Sequence, residues 1–203
     1  MEPFSTKILR RLKGKEPPSK EVFYIEELWN RVKDILPRQT PPSWVDHSES
    51  HILRVLEILD QLIPNEVLEV LSIEELYLLH VGTICHDIGM ARTSGLTNES
   101  DIANIRKRHG ELGADILREK FSDFIPRKYL YGVCEIVKNH HGDFDPSTSI
   151  SIPNVPSVPH LALMVRLADE LDFGPERAPN WLADIIGLSQ DQVKYWKEHN
   201  SLN

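Results

Sequence analysis

Hydrophobic residues recur at helical spacing along most of the chain, and no segment shows the strict alternation of a strand. The clearest stripe consists of Ile52, Val55, Leu56, Leu59 and Leu62. Five further stretches have comparable spacing, and a short tail segment completes the set. The predicted helices cover about 21–36, 46–62, 73–87, 100–120, 126–142, 159–173 and 189–198. The pattern therefore predicts an all-α fold, a helical bundle of about six or more helices.

Several helix ends are marked by their sequence. Asp46 is a candidate N-cap with Glu49 at the third helical position, which is the capping-box arrangement. Gly89 is a candidate left-handed cap that ends the third helix. Pro41-Pro42 breaks the chain, and the segment 143–158 holds three prolines and several serines, so we expect it to form a loop.

The domain organisation is simple. Residues 1–20 are basic and contain prolines, which predicts a flexible or loosely docked arm. Residues 21–203 form one predicted helical domain with its core at about 45–175, and there are no internal repeats. The C-terminal residues carry no recognisable stop signal, so the sequence leaves open that the chain is a fragment of a longer protein.

The composition narrows the class of protein. Of the 203 residues, 40% are hydrophobic and 27% are charged, which excludes a disordered, collagen-like or coiled-coil chain. The net charge of -8 argues against broad, non-specific binding to duplex nucleic acid but allows a local basic path to a phosphate site. No apolar run reaches the ~18 residues of a membrane span. Residues 1–4 lack the basic-then-apolar order that is typical of a signal peptide, and the two cysteines, Cys85 and Cys134, form no CxxC motif, so the predicted location is the cytoplasm.

The chain has nine histidines, and several of them fall on the inner faces of predicted helices. His109, for example, lies within the apolar stripe that includes Ile105 and Leu112. Each such side chain would cost on the order of 1–3 kcal/mol if buried without a partner. Imidazole and carboxylate ligands together suit a transition metal, so a shared metal centre is the simplest partner. The candidate ligands are His51, His86, Asp87, His109, His140, His141 and Asp169.

In chain order, this set resembles the signature of the HD-domain metal-dependent phosphohydrolase superfamily. That signature is a His, an adjacent His-Asp pair and a distal Asp, all on helices of a bundle, and several branches add one His and then a His-His pair. The segments 86–90 (HDIGM) and 171–177 (LDFGPER) are similar to bacterial HD domains that precede an Hsp90-like ATPase domain. Two departures stand out: Gly142 is not followed by the Tyr-Pro of the HD-GYP phosphodiesterases, and Met90 replaces a lysine found in many members.

The resemblance implies a ligand arrangement. One metal would be held by His51, His86, Asp87 and Asp169, and Asp87 would bridge to a second metal held by His109, His140 and His141. The expected cofactors are one or two divalent transition metals, drawn from Mn, Fe, Zn, Co and Ni.

The resemblance also implies an activity, the hydrolysis of a phosphoester by a metal-activated hydroxide. The substrate class stays open between a phosphodiester, a nucleic acid and a nucleotide. Asp87, Arg92 and Arg166 are the candidate catalytic residues, the two arginines as phosphate contacts in place of the missing lysine. The expected partners are a phosphate-containing small molecule or nucleic acid, with no membrane, and a C-terminal ATPase-type domain or a second copy of the chain.

Two other hypotheses compete with the phosphoester hydrolase. The domain could be a regulatory or nucleotide-sensing module whose metal site is non-catalytic and serves a partner domain, or an interaction scaffold without metal.

Some individual residues also have two interpretations. The run 106–108 is either a nucleic-acid path or a solvated helix face, and Asp172 is an alternative ligand to Asp169. His47 could cover the mouth of the site, whereas His80 faces another side of its helix than His86 and is excluded.

Overall fold

The structure is a computed structural model that describes residues 5–14, 20–36, 45–142, 157–179, 185, 187–188 and 190–201. Within these ranges it contains nine α-helices, one 3-10 helix and no strand, which confirms the all-α prediction. The predicted break at Pro41-Pro42 and most of the predicted loop 143–158 lie outside the described residues. The helices are α1 (Lys7–Lys13), α2 (Lys20–Ile35), α3 (Glu49–Leu62), α4 (Asn65–Val70), α5 (Ile73–Cys85), α6 (Glu99–Lys120), α7 (Arg127–Asn139), α8 (Val158–Leu171) and α9 (Gln190–Asn200), and the 3-10 helix is Ile88–Thr93.

The central helix is α5, and it carries His86-Asp87 at its C-terminal end. All ten of its residues from Leu76 to Cys85 are buried, because α1, α2, α3, α7 and α8 pack around it. A helix enclosed in this way is apolar on every side rather than along one stripe. Its start is fixed by a capping box, in which Ser72 Oγ accepts from Glu75 N at 3.2 Å and Glu75 Oε2 accepts from Ser72 N at 2.8 Å.

Part of the segment predicted as a flexible or loosely docked arm, residues 5–14, contains the first helix. Thr6 caps α1 by accepting a hydrogen bond from Leu9 N at 3.1 Å. Ile8, Leu9 and Leu12 are buried against the main core, and Lys7 N donates to a carboxylate oxygen of Asp60 at 2.7 Å. The basic residues that suggested an arm lie between these apolar positions, so the segment 5–14 is a docked amphipathic helix.

The start of α3 also differs from the prediction. Its N-cap is Ser48, whose Oγ accepts from Ser50 N at 3.2 Å. Asp46 lies just before the helix, where Oδ1 accepts from Ser48 N at 2.9 Å and Oδ2 pairs with Arg54 Nη2 at 3.2 Å. Since the carboxylate of Asp46 is used by these two partners, the shorter Ser48 side chain takes over the cap.

Gly89 does not adopt the left-handed conformation that the sequence predicts. It belongs to the 3-10 helix, and the left-handed glycines among the described residues are Gly95, Gly142 and Gly187. A glycine is required at position 89 for another reason. A Cβ atom there would lie 1.9 Å from the carbonyl oxygen of His109 on α6. The missing side chain therefore allows α6 to cross closely and brings His109 next to the His86-Asp87 pair.

The last helix, α9, joins the rest of the molecule through a small separate cluster. Trp196 packs with Val45 and Ala178, and Asn200 Nδ2 donates to the carbonyl of Ala178 at 2.8 Å. This places His199 near the C-terminal end of α8, where its ring stacks on Phe173 with centroids 4.2 Å apart. None of the helices in the described ranges has both the length and the apolar character that a membrane crossing requires.

Candidate metal centre

Five helices deliver imidazoles and carboxylates to one point in the bundle. His51 lies in the first turn of α3, His86-Asp87 follows α5, His109 lies within α6, His140 follows α7 and Asp169 is on α8. Six of the seven predicted ligands fall into two close groups, in which ligand atoms lie within 4.8 Å of one another. The groups are His51, His86, Asp87 and Asp169, and Asp87, His109 and His140.

Asp87 is the residue that the two groups share. Its Oδ2 lies 3.2 Å from His86 Nε2 and 3.3 Å from His51 Nε2. Its Oδ1 lies 3.2 Å from His109 Nε2. One carboxylate oxygen therefore faces each group, which is the geometry of a carboxylate that bridges two cations.

The four buried imidazoles of these groups have the same orientation. In each ring Nδ1 lies within hydrogen-bond distance of an oxygen that can only accept, so Nδ1 carries the hydrogen. The acceptors are Asp172 Oδ2 for His51 (2.6 Å), Thr83 O for His86 (2.7 Å), Arg106 O for His109 (2.5 Å) and Val137 O for His140 (2.6 Å). In the neutral form of each ring, Nε2 is thus left as an acceptor that points to the centre.

The converging acceptors show that this centre fits a cation. Nε2 of His51 lies 3.0 Å from Nε2 of His86, and Nε2 of His109 lies 3.0 Å from Nε2 of His140. Two lone pairs at this distance repel each other unless a proton or a metal ion lies between them. In addition, two buried carboxylate oxygens face these nitrogens: Asp87 Oδ2 lies 3.2 Å from His86 Nε2, and Asp169 Oδ1 lies 3.2 Å from His51 Nε2. Nitrogen and carboxylate ligands without a thiolate suit Mn, Fe, Co, Ni or Zn.

The buried charges of the site shift one another's pKa values. Burial raises the pKa of Asp87, but His86 and His47 outweigh it and hold this pKa well below its usual range. The pKa of His51 is lowered by burial and by Arg177, yet hydrogen bonds with Asp169, Asp172 and Asp87 raise it to about 10. Both carboxylates are thus ionised, and a proton on His51 compensates part of their charge when no metal does so.

A cavity of about 230 Å³ opens above the two groups. Asp87, His109 and Asp169 line its floor, and Arg106 of α6 and His199 of α9 lie on its walls. This volume is sufficient for a phosphate group and part of its substituent, and it gives solvent and substrate access to both groups.

Arg177 is a residue of the site that the sequence did not single out. Its guanidinium is nearly buried, with Nη2 3.3 Å from His51 Nε2 and 3.4 Å from Asp169 Oδ1. Nη1 donates to the carbonyl of Asp172 at 3.3 Å, and Nε donates to that of Asp46 at 3.1 Å. The segment 171–177 supported the family resemblance, but helical spacing does not extend beyond α8 and could not show that the chain returns here.

The two arginines proposed as phosphate contacts lie elsewhere. Arg92 is exposed on the 3-10 helix, and Arg166 Nη1 donates to the carbonyl of Gly142 at 2.6 Å. Neither lines the cavity, whose arginines are Arg106 and Arg177. The catalytic roles of Arg92 and Arg166 stay predictions without support from this geometry.

Three further predicted residues have clear positions. His141 is exposed beside His109, with ring centroids 4.5 Å apart, and it lines the cavity outside the two close groups. His47 is buried with Nε2 4.0 Å from Asp87 Oδ2, which agrees with a place beside the site. His80 is buried in α5 and belongs to neither group, as expected.

An all-helical bundle with a buried His/Asp cluster at its centre is the architecture of an HD-type domain. The family model named HD-CE matches residues 24–203, so this chain belongs to the HD-CE family, a branch of the HD-domain proteins. The match covers every residue of the two groups, and it confirms the resemblance stated from the sequence. Comparison with curated proteins and with solved structures gave no match.

Proposed function

We propose that the chain is a metal-dependent phosphohydrolase that cleaves a phosphoester at the two His/Asp groups. The observation that carries this proposal is the shared carboxylate of Asp87, with one oxygen toward each group. Two divalent cations would exceed the charge of Asp87 and Asp169 and leave the site positive. A positive site at the base of an open cavity attracts an anionic phosphate, even in a chain with a net charge of -8.

Bound cations would supply Lewis-acid chemistry, since they acidify water and stabilise the charge that develops on phosphoryl oxygens. The residues of the chain hold this chemistry in place. The Nδ1 hydrogen bonds fix each imidazole with Nε2 toward the centre, so no reorientation is needed when the ligands act. Because the carboxylate of Asp87 belongs to both groups, its loss affects both at once.

The substrate would enter through the cavity past Arg106 and Arg177. The guanidinium of Arg177 is already held by backbone carbonyls and by Asp169, so it is preorganised as a fixed positive charge beside the reacting centre. We infer that these two arginines, rather than Arg92 and Arg166, contact the non-reacting phosphoryl oxygens. Guanidinium groups suit this role because they stay positively charged and donate hydrogen bonds to phosphate oxygens.

The test is hydrolysis of bis(p-nitrophenyl) phosphate by protein loaded with Mn, Fe, Co, Ni or Zn in turn. We expect Asp87→Asn to remove the activity and to lower the metal content. The matched control is Asp123→Asn at an exposed position outside the site, and it should retain both. Turnover that persists in Asp87→Asn protein at the wild-type rate would contradict the proposal.

A regulatory module with a non-catalytic metal site is the second candidate. The observation in its favour is that Met90 is fully buried and brings no cation to the site, where many HD proteins have a lysine. If wild-type protein with a full complement of metal hydrolyses neither phosphodiesters nor nucleotides, this candidate replaces the first. Binding of a nucleotide without turnover would then be measured by calorimetry.

A further inference from the structure

A second cavity lies beside the first, on the other side of His141. It has a volume of about 370 Å³ and runs between the middle of α6 and the C-terminal end of α7. His141 lines both cavities, so the two are neighbours on one surface. We call the second cavity the basic groove, and its charged lining residues are Lys107, Arg108, Glu111 and Lys138.

The basic groove exists because α6 and α7 cross closely at Gly110. A Cβ atom at this position would lie 2.7 Å from the carbonyl oxygen of Lys138 and 2.9 Å from that of Val137. The close crossing places Lys107 of α6 beside Lys138 of α7 on one concave surface. Lysines from two different helices are thus held together by the packing of the backbone.

The described residues do not cancel the charge of the groove. Among them Glu111 is the one acidic residue that lines it, and Glu111 pairs with Arg108 at 3.2 Å. Lys107 and Lys138 make no ion pair or hydrogen bond through their side chains with any described residue. Two unpaired ammonium groups in a concavity of an acidic protein favour a bound anion, because the low-dielectric walls focus the local field.

The lining residues also indicate which part of a ligand would be recognised. No Phe, Tyr or Trp lines the groove among the described residues, so it provides no platform of the kind on which bases stack. The imidazole of His141 stands between the groove and His109 of the metal centre. A phosphate held in the groove would therefore lie on the other side of His141 from the metal centre.

We propose that the basic groove binds the phosphodiester backbone of a single-stranded oligonucleotide whose scissile phosphate lies at the metal centre. This inference rests on the proposed function and names its substrate class. It assigns the run 106–108 to two tasks, with Arg106 facing the metal cavity and Lys107 and Arg108 facing the groove.

Binding is tested without turnover, by fluorescence anisotropy of fluorescein-labelled dT10 in the presence of EDTA. We expect the double variant Lys107→Glu/Lys138→Glu to bind at least tenfold more weakly than the wild type. The slope of log K against log salt should fall by about 1.4, since each phosphate contact with a single strand contributes about 0.7. The variant Lys107→Gln/Lys138→Gln, which removes charge without reversing it, should give a smaller loss.

The control is Lys120→Glu/Arg127→Glu, which makes the same charge change at exposed positions of the same two helices outside the groove. It should weaken dT10 binding less than threefold. An equal loss of dT10 affinity in both double variants, or a wild-type protein that does not bind dT10, would overturn the proposal that the basic groove binds an oligonucleotide. With active enzyme, the ratio of kcat/KM for dT10 to that for bis(p-nitrophenyl) phosphate should fall at least fivefold in the groove variant alone.

The two proposals fail in different ways. If the protein binds dT10 through Lys107 and Lys138 but hydrolyses no phosphoester, oligonucleotide binding by the groove is supported and the proposed function is contradicted. If the protein hydrolyses bis(p-nitrophenyl) phosphate but its dT10 affinity does not depend on Lys107 and Lys138, the proposed function is supported and oligonucleotide binding by the groove is overturned.

Discussion

His51 donates its Nδ1 hydrogen to Asp172 Oδ2 across 2.6 Å, and this bond joins α3 to the end of α8. His51 differs in this respect from His86, His109 and His140, whose Nδ1 atoms donate to backbone carbonyls. The other oxygen of Asp172 accepts from Arg54 Nε at 2.8 Å. Asp172 is therefore not a substitute for Asp169 as a ligand, since both of its oxygens are used to orient His51.

Replacing Asp172 tests this orienting role. We expect Asp172→Ala to weaken metal binding about 10- to 100-fold, because the imidazole loses the acceptor that holds Nε2 toward the centre. Asp172→Asn keeps an oxygen acceptor and should give a smaller loss. Metal affinity is measured by competition with a chromogenic chelator. Asp123→Ala serves as the exposed control, and an Asp172→Ala protein with wild-type affinity would show that His51 needs no anchor.

The crossing of the 3-10 helix with α6 gives a second prediction. In Gly89→Ala the new Cβ would meet the backbone carbonyl of His109, which no side-chain rotation can relieve. The helices must move apart, so we expect a loss of about 3 kcal/mol or more in the free energy of unfolding, with weaker metal binding. The measurement is urea denaturation of the metal-free protein together with the metal affinity.

Gly95→Ala is the control for that substitution. It lies at φ +72° with no atom near its added Cβ, so it should cost only about 1–2 kcal/mol of left-handed strain. If both variants unfold at the same urea concentration, the close crossing at Gly89 does not constrain the centre.

His80 gives a prediction about pH that does not involve the metal centre. Burial lowers the pKa of His80 to about 4, and both ring nitrogens lack a partner among the described residues. In the unfolded chain His80 binds a proton near pH 6.5, whereas in the folded chain it binds one only near pH 4. His80 therefore lowers the free energy of unfolding as the pH falls from 6.5 to 4. Between pH 7 and pH 5, His80→Leu should therefore lose about 2 kcal/mol less stability than the wild type. The measurement is urea denaturation of both proteins at both pH values. An equal loss of unfolding free energy in the wild type and in His80→Leu would contradict this account.

The fold and the ligand groups were predictable because their signals are local. His51, His109 and Asp169 lie on apolar helical stripes, so the spacing alone turns them toward the interior. The family match then agrees with the order of these residues along the chain.

What the sequence missed depends on pairings that spacing cannot show. Arg177 reaches His51 from a segment 126 residues away and beyond the last turn of α8. The seven-residue helix α1 is too short for its stripe to stand out among basic residues. The sequence predicted Gly89 as a left-handed cap. The requirement for glycine instead comes from the carbonyl of His109 on another helix, which leaves no room for a Cβ atom.

The most direct test of the metal centre is the metal content of anaerobically purified protein, measured by elemental mass spectrometry. The two groups that share Asp87 predict about two divalent metals per chain, and about one or none in Asp87→Asn protein. Wild-type protein that holds no metal, even after reconstitution with Mn or Fe, would contradict the account.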